Sequence, residues 1–323
     1  MTPVSHGKPC AGNPHARFDE GASASEEPRR NALLHKHTNL AFAALAAATI
    51  STGCSRGFDP DSEIGLVSRE DGSGTRSAVV ELTGGQRKAA NGKKIDETSP
   101  ATMVASSTAV ALTTVASDPS AIGYLSLGSV NDTVKILLID GVAPTREEIA
   151  AGKYALVHPF NVVCRESVDN LKPAARDFLD WILSAEGQKI VEQAGYLKVG
   201  STPPYTGKNG VSGKVVCSGS SSVTPCMEKL KEAYEKTHPQ VSVEVQQSDS
   251  STGVSDAKDG VCDLGMASRA LKTSEKNSGL VAVAIALDGL AVVVNPANPI
   301  VSISKESLRA AYTGKITRWN EVK

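Results

Sequence analysis

Aromatic residues are scarce in this chain: five Phe, six Tyr and two Trp make up 4% of its 323 residues. Proteins that grip single-stranded nucleic acid stack bases on aromatic rings, so this supply argues against such a platform. An excess of charge is missing too. The 34 Lys and Arg stand against 35 Asp and Glu, and the formal net charge of -1 is too small to draw in polyanions or acidic membranes. No nucleic-acid partner is expected, and any recognition of an anion has to be local. Histidine is rare, and beyond residue 54 only His158 and His238 remain. Cys164, Cys217, Cys226 and Cys262 form no C-x-x-C pair, so no metal site and no cofactor is expected. Disulfides among these four and four buried thiols both fit the spacing.

Long hydrophobic runs are also absent where a membrane span would need one. "LAFAALAAATI", Leu40 to Ile50, is too short to cross a bilayer as a mature helix. It follows Arg29, Arg30 and Lys36 and precedes the small residues of "STGCS", Ser51 to Ser55. Basic flank, short apolar core and small residues are the parts of an export signal. Gly53-Cys54 resembles a bacterial lipoprotein cleavage box, in which the Cys is acylated, although Ser51 stands where a larger aliphatic residue is usual. The expected organisation is a disordered leader over 1–28, then a signal peptide with lipobox over 29–54. A membrane anchor through Cys54 would place the protein at the cell surface or in the periplasm.

Catalytic motifs are missing as well. Gly92-Lys93 and Gly213-Lys214 have Arg87 and Lys208 where a phosphate-binding loop needs its first Gly. No G-x-S-x-G elbow occurs, and "SISK", Ser302 to Lys305, has only the bare S-x-x-K spacing. Without a His or Cys cluster, neither a Ser-His relay nor a metal hydrolase is supported, so the residues favour binding over turnover.

What is present is alternation. Short apolar strands and amphipathic helices succeed each other, which predicts an α/β architecture with largely parallel sheets. "ARDFLDWILSAEGQKIVEQAGY", Ala175 to Tyr196, reads as one helix ending at Gly195. Thr224 is a predicted N-cap with Pro225 at the first helical position, and Ser304 caps "SKESLRAAYTG". Strands are expected in "KVVCSG", "VSVEVQQ", "GLAVVVNP", "AIGYLSLG" and "VKILLID". "GSTPPYTGKNGVSGK", Gly200 to Lys214, reads as a flexible connection. No internal repeat is evident.

Three strand-to-helix turns are rich in hydroxyls: "LVSREDGSGTRSAVVEL" from Leu66, "KVVCSGSSSVTPCMEKL" from Lys214, and "VEVQQSDSSTGVSDA" from Val243. Each aims backbone N–H groups at one small space, the local recipe for holding an oxyanion. Each is singly compatible with an ordinary capped helix. Neutral donors suit an anion that must be released again, with Arg69 as the charge that helps. Asp71 is the residue expected to orient the Arg69 guanidinium, and Arg76 lies where it could reach the site or face water.

Six segments together resemble the phosphate-specific substrate-binding proteins of ABC transporters, the PstS family: "SREDGSGTR", "SGSSSVTPCMEKL", "CDLGMASRALK" with "IALDGLAVVVNPANP", "LRAAYTGKITRWNEV", "AIGYLSLGSV" and "FLDWILSAEGQKIVEQAGY". The resemblance runs from about Ile64 to Lys323. It implies a two-lobed type II periplasmic-binding-protein fold, not an enzyme, that closes on inorganic phosphate and delivers it to permease subunits. The segment order departs from the family's usual one and looks like a circular permutation, with 200–214 joining the old termini. One lobe would be 64–158 plus 291–323 and the other 159–290. The implied ligand residues are Arg69, Ser73, Gly74, Thr75, Ser221, Ser222 and Ser251. Ser268 falls where some members place an Asp. That acid would accept the proton that phosphate carries and sulfate lacks. Asp288 is the expected replacement acceptor. The alternatives are a binder of sulfate or molybdate, a phosphatase-like enzyme using the same turns, and a permuted chain without function or built as a sensor scaffold.

Overall fold

The computed structural model describes residues 57–90, 94–207 and 210–323. The expected leader, signal peptide and Cys54 lie outside the described residues. Alternating apolar segments form a nine-stranded mixed sheet. Its main strands are β1 (Gly65–Arg69), β2 (Met103–Ala105), β3 (Ala121–Ser126) and β4 (Val157–Arg165). They continue with β5 (Gly213–Ser220), β6 (Val241–Ser248), β7 (Leu264–Ala267) and β8 (Leu280–Val294). The spatial order is β6-β5-β7-β4-β8-β3-β1-β2, with Lys135–Ile136 also paired to β8.

Parallel pairing holds at either end of this order, between β6, β5 and β7 and between β3, β1 and β2. The centre is antiparallel, because β4 and β8 run against each other and against their neighbours. Strand β8 changes partner along its length. Leu280 to Gly289 pair with β4, and Leu290 to Val294 pair with β3. The apolar clusters divide at the same place. Residues between Phe160 and Ala286 pack around Phe178, Trp181 and Tyr234, while Ile64 to Leu156 and Leu290 to Trp319 build separate clusters.

The helices that follow the strands are α1 (Gly74–Thr83), α2 (Thr108–Ser117), α3 (Pro173–Leu183), α4 (Ala185–Gln193), α5 (Thr224–Thr237), α6 (Ser250–Asp259) and α7 (Lys305–Tyr312). The single helix expected over 175–196 is two. Ser184 leaves helical geometry at φ -75, ψ 170, and its side chain accepts from the Gly187 amide to start α4. A hydroxyl able to cap the next turn competes with continuing the first. Thr224 is not the cap of α5 either; it is already helical and donates to the Ser220 carbonyl at 3.1 Å. Ser304 caps α7 as expected. Among the described residues no helix is long and apolar enough to cross a membrane.

The segment from Gly200 was expected to be flexible, yet its described residues are tied down. The Pro203 carbonyl accepts from the Ala185 amide at 2.8 Å, and the Tyr205 amide donates to Glu186 at 3.0 Å. Tyr205 and Tyr234 hydroxyls each donate to Asp177 at 2.6 Å, beside the His238 ring. Composition predicts the lack of regular structure, and the Tyr205 hydroxyl ties this irregular stretch to Asp177. A cavity of about 920 Å³ lies beneath it, lined among others by Asp169, Arg176, Asp180, Pro203 and Tyr205.

Candidate functional site: a buried hydroxyl cluster

Hydroxyls converge where strands end and helices begin. Arg69 closes β1 and α1 starts five residues later, capped by Ser73, whose side chain accepts from the Arg76 amide. Opposite them, β5 ends at Ser220 and delivers Ser221 and Ser222, β6 leads into Ser250, and β7 leads into Ser268. Glycines allow the close approach. A Cβ on Gly74 would lie 2.5 Å from the Ser250 hydroxyl and 2.6 Å from that of Ser268. On the other side, a Cβ on Gly253 would meet the Ser218 carbonyl at 2.6 Å and the Gly219 Cα at 2.7 Å, so only Gly lets α6 sit this low on the sheet.

Arg69 is the charge at the centre, with 2% of its surface exposed. Its Nε and Nη2 donate to the two Glu70 oxygens at 2.9 and 2.7 Å, its Nη1 to Thr108 at 2.9 Å, and Nη2 also to Ser221 at 2.8 Å. Glu70, not Asp71, therefore orients the guanidinium. Asp71 has rotated out beyond the end of the strand, 95% exposed, and pairs with Arg76 at 2.6 Å. Arg76 bridges Asp71 and Asp96 and donates to the Arg69 carbonyl, so it braces the turn from behind.

Thr75 meets Ser222 at 2.8 Å and Ser268 at 3.4 Å; Thr108 meets Ser222 at 3.1 Å and Ser221 at 3.3 Å. Ser220 donates to Ser268 at 3.0 Å, and Ser250 meets Ser268 at 3.3 Å. All of these hydroxyls are buried. The structure thus brings together Arg69, Gly74, Thr75, Ser221, Ser222 and Ser268, with Ser73 capping behind them. Ser251 stands at the rim, donating to the Gly72 carbonyl and accepting from Arg269, both at 3.2 to 3.3 Å. Thr108 was missed by the sequence reading. The signal was there: "VASSTAV" is a fourth strand-to-helix junction rich in hydroxyls, with Ser107 as the cap.

Asp288 does not join the cluster. It lies on β8 in register with His158 on β4, and its Oδ2 is 3.0 Å from His158 Nε2. The other imidazole nitrogen, Nδ1, is 2.6 Å from the Ser268 carbonyl and must carry a proton, since a carbonyl only accepts. Burial raises the Asp288 carboxyl above its ordinary value, with His158 pulling the other way. Asp288 thus holds His158, and His158 holds the backbone of Ser268. At the rim, burial would raise Glu275, but the hydrogen bonds from Arg269 and the Lys272 amide outweigh it and leave the carboxyl lowered.

The cysteines take no part. Cys164, Cys217, Cys226 and Cys262 are free and buried, which leaves no disulfide among them. Burial pushes the Cys226 and Cys262 thiols up to about 12. Among the described residues no group of His, Cys, Asp and Glu could hold a metal ion.

A sequence profile of the PBP superfamily domain matches residues 35–186 and 204–323. The chain is 49% identical to the phosphate-binding protein PstS 2 of Streptococcus agalactiae serotype V over 285 residues, 88% of this chain and 96% of that protein. It is 31% identical to the phosphate-binding protein PstS of Bacillus subtilis over 134 residues, 40% of this chain and 44% of that one. A crystal structure of the phosphate-binding protein of a phosphate ABC transporter from Streptococcus pneumoniae superposes with a TM-score of 0.64 at 40% identity, covering 81% of this chain and 100% of that chain. With half of its residues shared along nearly a whole relative, and the two-sided α/β architecture in place, the chain belongs to the PstS family of substrate-binding proteins within the PBP superfamily.

Proposed function

We propose that this protein binds inorganic phosphate reversibly in the hydroxyl cluster and delivers it to the permease subunits of an ABC importer outside the cytoplasm. The observation that carries this reading is the meeting of Arg69 with the hydroxyls of Thr75, Thr108, Ser221, Ser222 and Ser268 in one buried space. Helix N-termini and neutral hydroxyls hold an oxyanion by many directed hydrogen bonds, while Glu70 tempers the one guanidinium, so release stays accessible. The names of the relatives agree with it.

Binding rather than turnover is the role this reading assigns, and the likeness to phosphate-binding proteins of transporters supports it. The two lobes are 64–158 plus 291–323 and 159–290, hinged where β8 changes partner. The order of segments is a natural circular permutation: one alignment runs through both halves of the streptococcal relative, whereas the Bacillus subtilis protein aligns over less than half of its length. In this reading 200–214 joins the family's old termini, and Cys54 carries a lipid anchor. Titration of the full chain with phosphate by calorimetry tests the central claim. Saturable binding at one site is expected. An absence of heat at millimolar phosphate, or steady hydrolysis of a phosphomonoester by the pure protein, would overturn it.

A further inference from the structure

At the rim of the hydroxyl cluster a single backbone carbonyl joins the turn after β1 to the start of α6. That turn is closed by the Ser73 amide on the Glu70 carbonyl at 2.9 Å, and the carbonyl inside it is that of Gly72. Gly72 accepts from the Ser251 hydroxyl and from the Ser251 amide, both at 3.2 Å, the amide being shared with Asp249 at 2.8 Å. The Ser251 hydroxyl accepts in turn from Arg269 Nη2 at 3.3 Å. Arg269 is buried and fixed: Glu275 accepts from both of its Nη atoms at 2.8 Å, and the Asn161 side chain on β4 donates to its carbonyl at 2.8 Å. This approach requires glycine at 72. A Cβ there would lie 2.0 Å from Asp249 Oδ1, an oxygen pinned by the Ser251 and Thr252 amides.

This inference rests on the two-lobed, phosphate-binding reading given above and concerns how closure is held. We propose that Ser251 is a latch rather than a ligand: with Arg269 behind it, it fastens the Gly72 carbonyl of one lobe to α6 of the other and slows the release of phosphate. Arg69, Thr75 and Thr108 also meet Ser221, Ser222 and Ser268 across the lobes, but the anion would draw on the same hydrogen-bonding groups. The Ser251 and Gly72 pair uses none of them, so it closes beside the anion instead of competing with it. A hydroxyl that accepts from a guanidinium is polarised and donates more strongly to its own acceptor. Ser251 is thus a positioning residue. Because its bond to Gly72 forms only as the lobes meet, removing it raises the rate of leaving and not the rate of entry.

The test is stopped-flow association and release of phosphate by the full chain, with phosphorus NMR of the bound anion. Ser251→Ala is expected to release phosphate about 2- to 10-fold faster, as the loss of one hydrogen bond implies, with association within about twofold of wild type. Ser251→Thr keeps the hydroxyl and should release at the wild-type rate. Gly72→Ala leaves every polar group of the anion site in place and should speed release by about fivefold or more, because the overpacking arises only when the lobes are closed. The phosphorus resonance of bound phosphate should be the same in wild type and Ser251→Ala. A wild-type release rate in Ser251→Ala, or a displaced resonance that marks Ser251 as a ligand, overturns the inference and leaves the proposed function standing. If Gly72→Ala does not fold, the two Ser251 variants decide alone. A wild-type chain that binds no phosphate overturns the proposed function itself.

Discussion

At the residue scale, Arg69 and Gly74 separate two ways of making a site: supplying charge and leaving room. Hydrogen bonds to a charged group contribute about 1.5–3 kcal/mol, so Arg69→Ala should weaken phosphate binding by about 10- to 150-fold in calorimetry. Gly74 acts by absence of a side chain. A methyl there would press within 2.5 and 2.6 Å of the Ser250 and Ser268 hydroxyls, which come from the far side of the cluster. The Ser268 backbone carbon would lie within 2.9 Å as well, so Gly74→Ala overpacks the junction and should lower stability by about 1–3 kcal/mol. Phosphate affinity should also fall at least about tenfold, since the opposing hydroxyls can no longer close on the ligand. A Gly74→Ala protein that keeps full stability and full affinity would contradict that assignment.

Among the elements, β4 and β8 do the most to position the site, because they are the strands where the apolar clusters separate. Their register places His158 against Asp288, and His158 in turn holds the Ser268 carbonyl. Asp288→Ala would leave Nε2 of a buried imidazole without its partner and should cost about 1–3 kcal/mol in chemical denaturation. In Asp288→Asn a hydrogen-bonding group stays opposite Nε2, so that variant should lose only about 1 kcal/mol. Equal losses in the two variants would show that packing, not the hydrogen bond, matters there. The break between α3 and α4 follows the same logic of local competition. Its apolar stripe is legible as helix, but the cap at Ser184 is decided by whether its hydroxyl finds an amide, which periodicity does not report.

At the scale of the whole molecule, the two ends of the described chain are sewn together. The Ile64 amide donates to the Thr317 carbonyl at 2.8 Å, the Asn320 amide to the Pro60 carbonyl at 2.8 Å, and the Trp319 indole to the Ser120 carbonyl at 2.9 Å. Stability should respond to acid in a defined direction. At Asp249, burial raises the carboxyl but the hydrogen bonds from Thr252 and Ser251 outweigh it, and at Glu275 those from Arg269 and Lys272 do so, leaving both lowered. A carboxyl lowered on folding adds stability above its unfolded value, near 4, and that stability is lost as pH falls through the folded value. Asp288 has the opposite sign: raised by burial, it favours the fold most in acid, and that contribution fades as pH rises through its folded value. Below about pH 4 the Asp288 contribution is already complete and only the two lowered groups still change, so the melting temperature should fall there. A melting temperature rising over that acid range would reverse the assignment.

The sequence by itself determined the fold class and the hydroxyl-rich turns, because strand periodicity, cap residues and glycine punctuation are local and survive in one dimension. It also carried the family, through six segments that keep their residues whatever their order. Only the tertiary structure decided that Glu70 rather than Asp71 clamps Arg69, since a one-residue step at the end of β1 turns a side chain from the core to solvent. It decided likewise that Thr108 belongs with Ser222, that Asp288 serves His158, and that Tyr205 anchors a connection whose composition reads as loose. Those are contacts between residues far apart in the chain, and their partners are set by strand order and close packing, which no local pattern contains.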